Sequence, residues 1–166
     1  MSAITKSFVT KSRVLVALAG AFALVGCTGM HERHAERHAA HMQQAQAGQP
    51  MKVVYHLTNG VDEAARAMGN IRNLLAVEPG AKVVVVSNAL GLDFMLDGAK
   101  DRNGNPFDVA IQELKGKGVD FRACNTTLTL RKIDRSKLQP EVAVIDSGVA
   151  EAARLQFREG FAYLRP

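Results

Sequence analysis

The chain has 166 residues, 47% of them hydrophobic, and its 21 lysines and arginines exceed its 16 acidic residues by a formal charge of +5. This length suits one domain with an appendage and argues against two full domains. The apolar fraction excludes a disordered chain, and a content of only two cysteines excludes a disulfide-dense scaffold.

The first 26 residues have the features of a secretory signal peptide. Lys6, Lys11 and Arg13 provide three cations without an acid, and a thirteen-residue apolar run follows at 14–26. Thirteen residues rise only about 20 Å as a helix, less than the roughly 30 Å hydrocarbon core of a bilayer, which argues against a spanning helix. Removing this segment leaves a charge of +2. That small charge favours no nucleic-acid partner.

The end of the apolar run resembles the bacterial lipobox: Leu24, Val25 and Gly26 precede Cys27. The resemblance implies that a diacylglyceryl group is attached to the Cys27 thiol and that cleavage leaves this cysteine as the first residue. Several buried acyl chains such as palmitate, at about 0.8 kcal/mol per methylene, would anchor the chain stably. By the same resemblance, Thr28 in place of an aspartate favours the outer membrane over the inner. We therefore expect a lipid-anchored, periplasm-facing envelope protein.

Residues 27–50 are a polar segment rich in histidine, glutamine and alanine, which we interpret as a tether. If this segment is helical, His31, His34, His38 and His41 fall within an arc of about 80°. Imidazoles at such spacing can bind Zn, Cu or Ni. No Cys, Asp or Glu is aimed at that face to complete a site, so a solvated spacer is the alternative interpretation.

Residues 51–166 alternate between strand and helix patterns. We predict strands at 52–57, 81–86, 119–123, 142–145 and 161–164, and helices at 62–77, 92–96, 107–115, 124–130 and 149–157. The continuously apolar run at 81–86 is typical of a strand buried on both faces of a parallel sheet. Strands that alternate with helices predict right-handed crossovers. The expected fold is a single three-layer α/β/α domain with a mostly parallel five-stranded sheet.

Ligands in such folds bind outside the carboxyl ends of the strands. That rule directs attention to the segments 56–60, 87–91, 124–127 and 146–148. No GxGxxG, GxxxxGK or GxSxG pattern occurs there or elsewhere, which excludes the common dinucleotide, P-loop and nucleophile-elbow sites.

Cys124 is the most informative residue of the domain, because a lipidated Cys27 leaves it as the only free thiol. It lies between a predicted strand and a predicted helix, where backbone N–H groups and the helix dipole favour the nucleophilic thiolate. The alternative is a buried, inert cysteine that acts as a small hydrophobic residue. Neighbouring side chains that could add hydrogen bonds or positive charge are Arg122, Asn125, Thr126, Thr127 and Arg131.

Several segments resemble the DsrE/DsrF-like family of sulfur-relay proteins. They are KVVYHL at 52–57, the Asn-x-x-Asn-Leu pattern at 70–74, AKVVVVSNALGL at 81–92, GVDFRACNTT at 118–127 and VIDSGVAEAARLQ at 144–156. The resemblance implies a flavodoxin-like fold and assembly into trimers or hexamers. We expect no cofactor. It also implies that Cys124 carries a persulfide received from a donor protein and passed to an acceptor protein.

We call the edge of the sheet formed by the carboxyl ends of the strands the rim. His56 and Asn88 would lie on the rim near Cys124 if the sheet order brings their strands beside that of Cys124. His56 could then pair with the thiolate or donate to a bound sulfur species, or it could be a satisfied core group. Asn88 could bind a ligand or only cap a turn. Asp146 and Ser147 are expected to cap the helix that begins near residue 149.

Three functions remain open from the sequence. The first is a carrier that relays sulfane sulfur on Cys124 and is at most a sulfur-transfer protein. The second is a non-catalytic module that binds a small ligand or metal on the same fold, with Cys124 in a structural role. The third is a scaffold of the envelope.

Overall fold

Five parallel strands form the sheet of this protein, whose computed structural model describes residues 48–166. The strands are β1 (Lys52–Leu57), β2 (Lys82–Ser87), β3 (Asp120–Cys124), β4 (Val142–Ile145) and β5 (Ala162–Leu164). Their order across the sheet is β4-β3-β2-β1-β5, and every neighbouring pair is parallel. The predicted α/β fold is confirmed. The expected signal peptide, Cys27 and the histidine tether lie outside the described residues.

The helices are α1 (Val61–Val77), α2 (Phe107–Gly116), α3 (Asn125–Leu130) and α4 (Gly148–Glu159). Two 3₁₀ segments span Ala89–Met95 and Arg135–Lys137, so the short helix predicted at 92–96 begins earlier and winds more tightly than expected. Within residues 48–166 no helix combines the length and the apolar character needed to cross a bilayer.

The direction of the crossovers decides which face of the sheet each helix covers. The steps from β1 to β4 run in one direction across the sheet, and the return from β4 to β5 runs in the other. Because parallel crossovers are right-handed, this reversal places α4 on the face opposite to α1. We call the face under α1 the first face and the face under α4 the second face.

The first face carries the main hydrophobic core. From α1 it receives an apolar stripe at helical spacing, made of Ala64, Ala67, Met68, Ile71 and Leu75. Phe94 of the 3₁₀ segment stacks edge-to-face on Phe107 and Phe121, with ring centroids 5.5 and 6.4 Å away. These rings fill the space between the sheet, the 3₁₀ segment and α2.

The second face has a smaller core. Leu155 of α4 and Phe161 pack against Val54, Val84 and Val86 of the two central strands. Among the described helices α4 alone covers this face. Gly160 ends α4 in the left-handed conformation with φ 71°, and its N–H donates to the Leu155 carbonyl.

Candidate functional site

Cys124 is the last residue of β3 and immediately precedes α3, as the sequence pattern predicts. Its side chain is 4% exposed. Burial raises the pKa of this thiol, but backbone N–H groups of Gly148, Thr127 and Thr126, together with the Thr127 hydroxyl, outweigh burial and hold the pKa below its ordinary value. The first turns of α3 and α4 therefore lie beside the sulfur, and their polar groups lower its pKa. This environment favours the thiolate.

Gly148 permits this arrangement because it has no side chain. A Cβ at this position would lie 3.2 Å from the Asn88 Cβ, 3.3 Å from the Cys124 Cβ and 3.4 Å from Cγ1 of Val86. Ser147 caps the helix at the preceding position, where its Oγ accepts from the Ala150 N–H at 3.4 Å. The cap predicted for Ser147 is therefore present. The first turn of α4 packs at Gly148 against the ends of β2 and β3.

A hydrogen-bonded chain of side chains crosses the sheet beside the thiol. His56 Nε2 lies 3.1 Å from Asn88 Oδ1, and His56 Nδ1 lies 3.0 Å from the Tyr163 hydroxyl. The strand order explains the chain, because β1 lies between β2 and β5. The Tyr163 ring also packs edge-on to the imidazole, at 5.8 Å between centroids.

His56 does not form the direct ion pair with Cys124 that its strand-end position left open. Its strand is separated from β3 by β2, and both ring nitrogens already have partners. Burial lowers the pKa of His56; the hydrogen bond to Asn88 raises it, nearby Arg165 lowers it and nearby Glu63 raises it, with a net decrease. The imidazole is therefore neutral at neutral pH, and Asn88 is the residue that lies next to the thiol.

Thr127 connects the thiol to the turn after β2. Its Oγ1 accepts from the Ala89 N–H at 3.0 Å. Ala89 adopts a left-handed conformation with φ 49°, which is unfavourable for a residue with a Cβ. Its carbonyl accepts from Arg131 at 2.9 Å. Backbone strain of this kind persists only where surrounding contacts enforce it. Here the hydrogen bonds to Thr127 and Arg131 hold the turn at Ala89, next to Asn88.

The other side chains predicted near the thiol have partners elsewhere. Asn125 Oδ1 accepts from Arg135 at 2.7 Å, and the Thr126 hydroxyl donates to the Asp146 carbonyl at 3.0 Å. The Thr126 N–H also donates to the Asp146 carbonyl, at 3.2 Å, so both polar groups of Thr126 bind the segment that precedes α4. Asp146 is exposed.

The two arginines proposed as sources of positive charge are already paired. Arg122 contacts Asp120 at 2.6 Å and also Glu151. Arg131 contacts Asp93 at 2.6 Å. Neither arginine is therefore a free cation at the thiol. The carboxylates that neutralise them lie in β3 (Asp120), in α4 (Glu151) and in the first 3₁₀ segment (Asp93).

Glu63 is a rim residue that the sequence analysis missed. Its carboxylate is almost fully buried and accepts from the N–H groups of Thr58 and Asn59, both at 2.6 Å, and from Arg165 at 3.4 Å. Burial raises its pKa, but these donors outweigh burial and lower it. The available signal was a glutamate three residues after Gly60, the residue that precedes α1, as in a capping box.

Within residues 48–166 no group of three or more His, Cys, Asp or Glu side chains is arranged to hold a metal ion. The histidines considered for metal binding, His31, His34, His38 and His41, lie outside the described residues.

Comparisons with known proteins agree with this fold. No family model and no curated protein matches the chain. The solved structure of MTH1491 from Methanobacterium thermoautotrophicum, a protein of unknown function, is 31% identical, superimposes with a TM-score of 0.63, and is matched over 70% of this chain and 99% of its own. The ychN protein from E. coli is 17% identical, with a TM-score of 0.54 and the same coverages of 70% and 99%, and shows the fold alone. Both of these structures have a DsrE-like fold. Because the chain is 31% identical to MTH1491 over nearly the whole length of that protein and shares its fold, the chain belongs to the DsrE-like family.

Proposed function

We propose that the chain accepts, holds and relays sulfane sulfur as a persulfide on Cys124. One observation carries the proposal: a nearly buried thiol lies against Gly148 of α4 and directly before α3, where polar groups of the two helix starts hold its pKa below the ordinary value despite burial. A lowered pKa supplies the thiolate that sulfur exchange requires. An inert structural cysteine would have a raised pKa in an apolar environment.

The proposed transfer is an exchange between sulfur atoms. The Cys124 thiolate attacks the outer sulfur of a donor persulfide, R–S–SH. A bond forms between the two sulfurs while the S–S bond of the donor breaks, and the donor leaves as the thiolate R–S⁻. The proton stays on the transferred sulfur, and no net oxidation or reduction occurs. Attack by an acceptor thiolate on the outer sulfur of Cys124 passes the sulfur on.

Burial of Cys124 restricts which donors approach first. With 4% of the side chain exposed, small linear polysulfides reach the sulfur more easily than bulky reagents. Donor proteins would have to present a persulfide at the end of the sheet between α3 and α4.

We further propose that the protein works at the cell envelope, anchored through lipid on Cys27 and facing the periplasm, with the outer membrane as its site. The lipobox-like residues before Cys27 support this address. Incorporation of labelled palmitate, lost in Cys27→Ser, tests the lipid.

We also propose that the chain forms a homo-oligomer, a trimer or hexamer. The resemblance to the DsrE/DsrF-like family supports association, and exposed apolar side chains are available for contacts: Val77, Leu130 and Phe157 are 78%, 78% and 91% exposed. Light scattering measures the assembly directly.

Intact mass tests the sulfur-carrier function. The chain carrying Cys27→Ser has Cys124 as its one remaining thiol and is incubated anaerobically with polysulfide. We expect gains of one sulfur mass that dithiothreitol removes, and no gain in the same chain with Cys124→Ser. An unmodified mass together with slow alkylation by iodoacetamide would contradict the proposal and leave a ligand-binding or scaffold role.

A further inference from the structure

Asn88 lies between the imidazole and the thiol on the second face. It directly follows β2, which separates the strands of His56 and Cys124. Asn88 and Cys124 have their Cβ atoms 3.2 and 3.3 Å from the position that a Gly148 Cβ would take. The polar groups that lower the pKa of the Cys124 thiol nevertheless belong to residues 126, 127 and 148 and not to Asn88.

The hydrogen bonds of His56 fix the orientation of the Asn88 amide. Asn88 Oδ1 is an acceptor, so the Nε2 atom that faces it at 3.1 Å must carry the imidazole proton. A neutral imidazole then has an unprotonated Nδ1, which accepts from the Tyr163 hydroxyl at 3.0 Å. The chain therefore runs from Tyr163 to His56 to Asn88, and it leaves both N–H bonds of Asn88 Nδ2 directed away from the ring. The hydrogen bonds between residues 48 and 166 give this nitrogen no partner.

We infer that Tyr163 and His56 are positioning residues, which hold Asn88 so that its amide N–H donates to the outer sulfur of a persulfide on Cys124. This inference rests on the proposed function. The outer sulfur of a persulfide lies about 2.05 Å beyond the cysteine sulfur. An anionic sulfur there gains a charge-assisted hydrogen bond from the amide.

The test compares the acidity of the thiol with that of the persulfide in one protein. The full chain with Cys27→Ser is used either reduced or loaded with polysulfide, and the pH dependence of alkylation by iodoacetamide is followed by intact mass. We expect Asn88→Ala to lower the acid dissociation constant of the persulfide about tenfold, in the range of a hydrogen bond to a charged group. The constant of the unmodified thiol should change by less than about twofold, since Asn88 makes no hydrogen bond to that sulfur.

Two further variants separate positioning from general packing. Tyr163→Phe keeps the ring and removes the hydroxyl, and it should weaken the persulfide acidity about threefold. Asn125→Ala is the matched control, because it removes another amide at the same rim whose Oδ1 is bound to Arg135. It should shift neither constant.

Nitrogen-15 NMR of the imidazole gives an independent readout. We expect the wild-type His56 to be the Nε2–H tautomer and Tyr163→Phe to introduce the Nδ1–H form. An Nδ1–H tautomer in the wild type would overturn the inference, as would equal shifts of thiol and persulfide in Asn88→Ala. Normal sulfur loading with unchanged persulfide acidity defeats this inference alone, whereas absence of loading in the wild type defeats the proposed function and the inference with it.

Discussion

The two faces of the sheet differ in what their side chains do. On the first face β1 and β2 contribute apolar side chains to the main core, in which the rings of Phe94, Phe107 and Phe121 pack together. On the second face the apolar contacts are confined to a few residues under α4. Beyond them the strand ends carry His56, Asn88, Cys124 and Tyr163. The first face thus carries the larger apolar core, and the second face carries the polar side chains nearest the thiol.

The contrast follows from topology. Three successive crossovers in one direction cover the first face, whereas one return crossover leaves the second face with a single helix. A polar side chain can be tolerated where coverage is incomplete and a hydrogen-bond partner is near. Substitutions on the two faces should therefore separate stability from chemistry.

The largest expected effect is a loss of stability from the first face. Phe121→Ala removes a fully buried ring that contacts Phe94 and should lower the free energy of unfolding by about 3–5 kcal/mol. Urea denaturation measures this change. Cys124→Ala on the second face removes one sulfur atom and should cost far less. Equal losses at the two positions would contradict the contrast.

The next largest loss of stability is expected at Gly91, a residue of the first 3₁₀ segment that packs against the end of β1. A Cβ on Gly91 would lie 2.3 Å from the carbonyl carbon and oxygen of Leu57 and 2.5 Å from the Thr58 nitrogen. Gly91→Ala must displace backbone, so we expect a loss of about 2–3 kcal/mol by thermal or urea denaturation.

Gly69→Ala provides the matched control for this clash. Gly69 lies within α1 and has no atom within 4 Å of an added Cβ. Alanine there should raise the free energy of unfolding by up to about 1 kcal/mol, because it favours the helix. Similar destabilisation by both alanines would show that close approach to Leu57 is not the cause.

Glu63 should make the stability of the protein depend on pH, because its carboxylate binds the turn after β1. Because its pKa is lowered in the folded protein, its contribution is fully present above the pKa of the unfolded chain and is lost as the pH falls through the lower folded value. Glu63→Gln should cost about 2 kcal/mol near neutral pH. The difference from wild type should shrink below about pH 4, near the ordinary pKa of glutamate. A difference that stays constant down to acid pH would show that the charge of Glu63 is unimportant.

The smallest expected effect concerns the Thr127 hydroxyl beside the thiol of the second face. Thr127→Val removes a hydroxyl that lowers the pKa of the Cys124 thiol and accepts from the Ala89 N–H. The thiol pKa should rise, so that alkylation by iodoacetamide near neutral pH becomes slower, and stability should fall by about 1 kcal/mol. Thr129→Val, an exposed change on the same helix, should leave both quantities unchanged. An unaltered alkylation rate in Thr127→Val would show that the Thr127 hydroxyl does not lower the pKa of the thiol.

Local signals in the sequence were enough to locate the strands and helices and to single out Cys124. The apolar runs of β1 and β2 and the stripe of α1 have the periods of buried strands and an amphipathic helix, and Ser147 before α4 is a recognisable cap. The glutamate three residues after Gly60 was a local signal of its bonds to the Thr58 and Asn59 N–H groups, whereas its third partner, Arg165, lies 102 residues away and leaves no local trace.

By itself the sequence determined the α/β fold class, the parallel sheet and the position of Cys124 between a strand and a helix, since these depend on residue periodicity and local chain direction. The tertiary structure decided the strand order, and with it which side chains meet. That order set Asn88 rather than His56 beside the thiol, joined Tyr163 to the imidazole across more than 100 residues of chain, and paired Arg122 and Arg131 with carboxylates. Contacts between distant segments depend on how the crossovers fold back on the sheet, a property that no local pattern of residues contains.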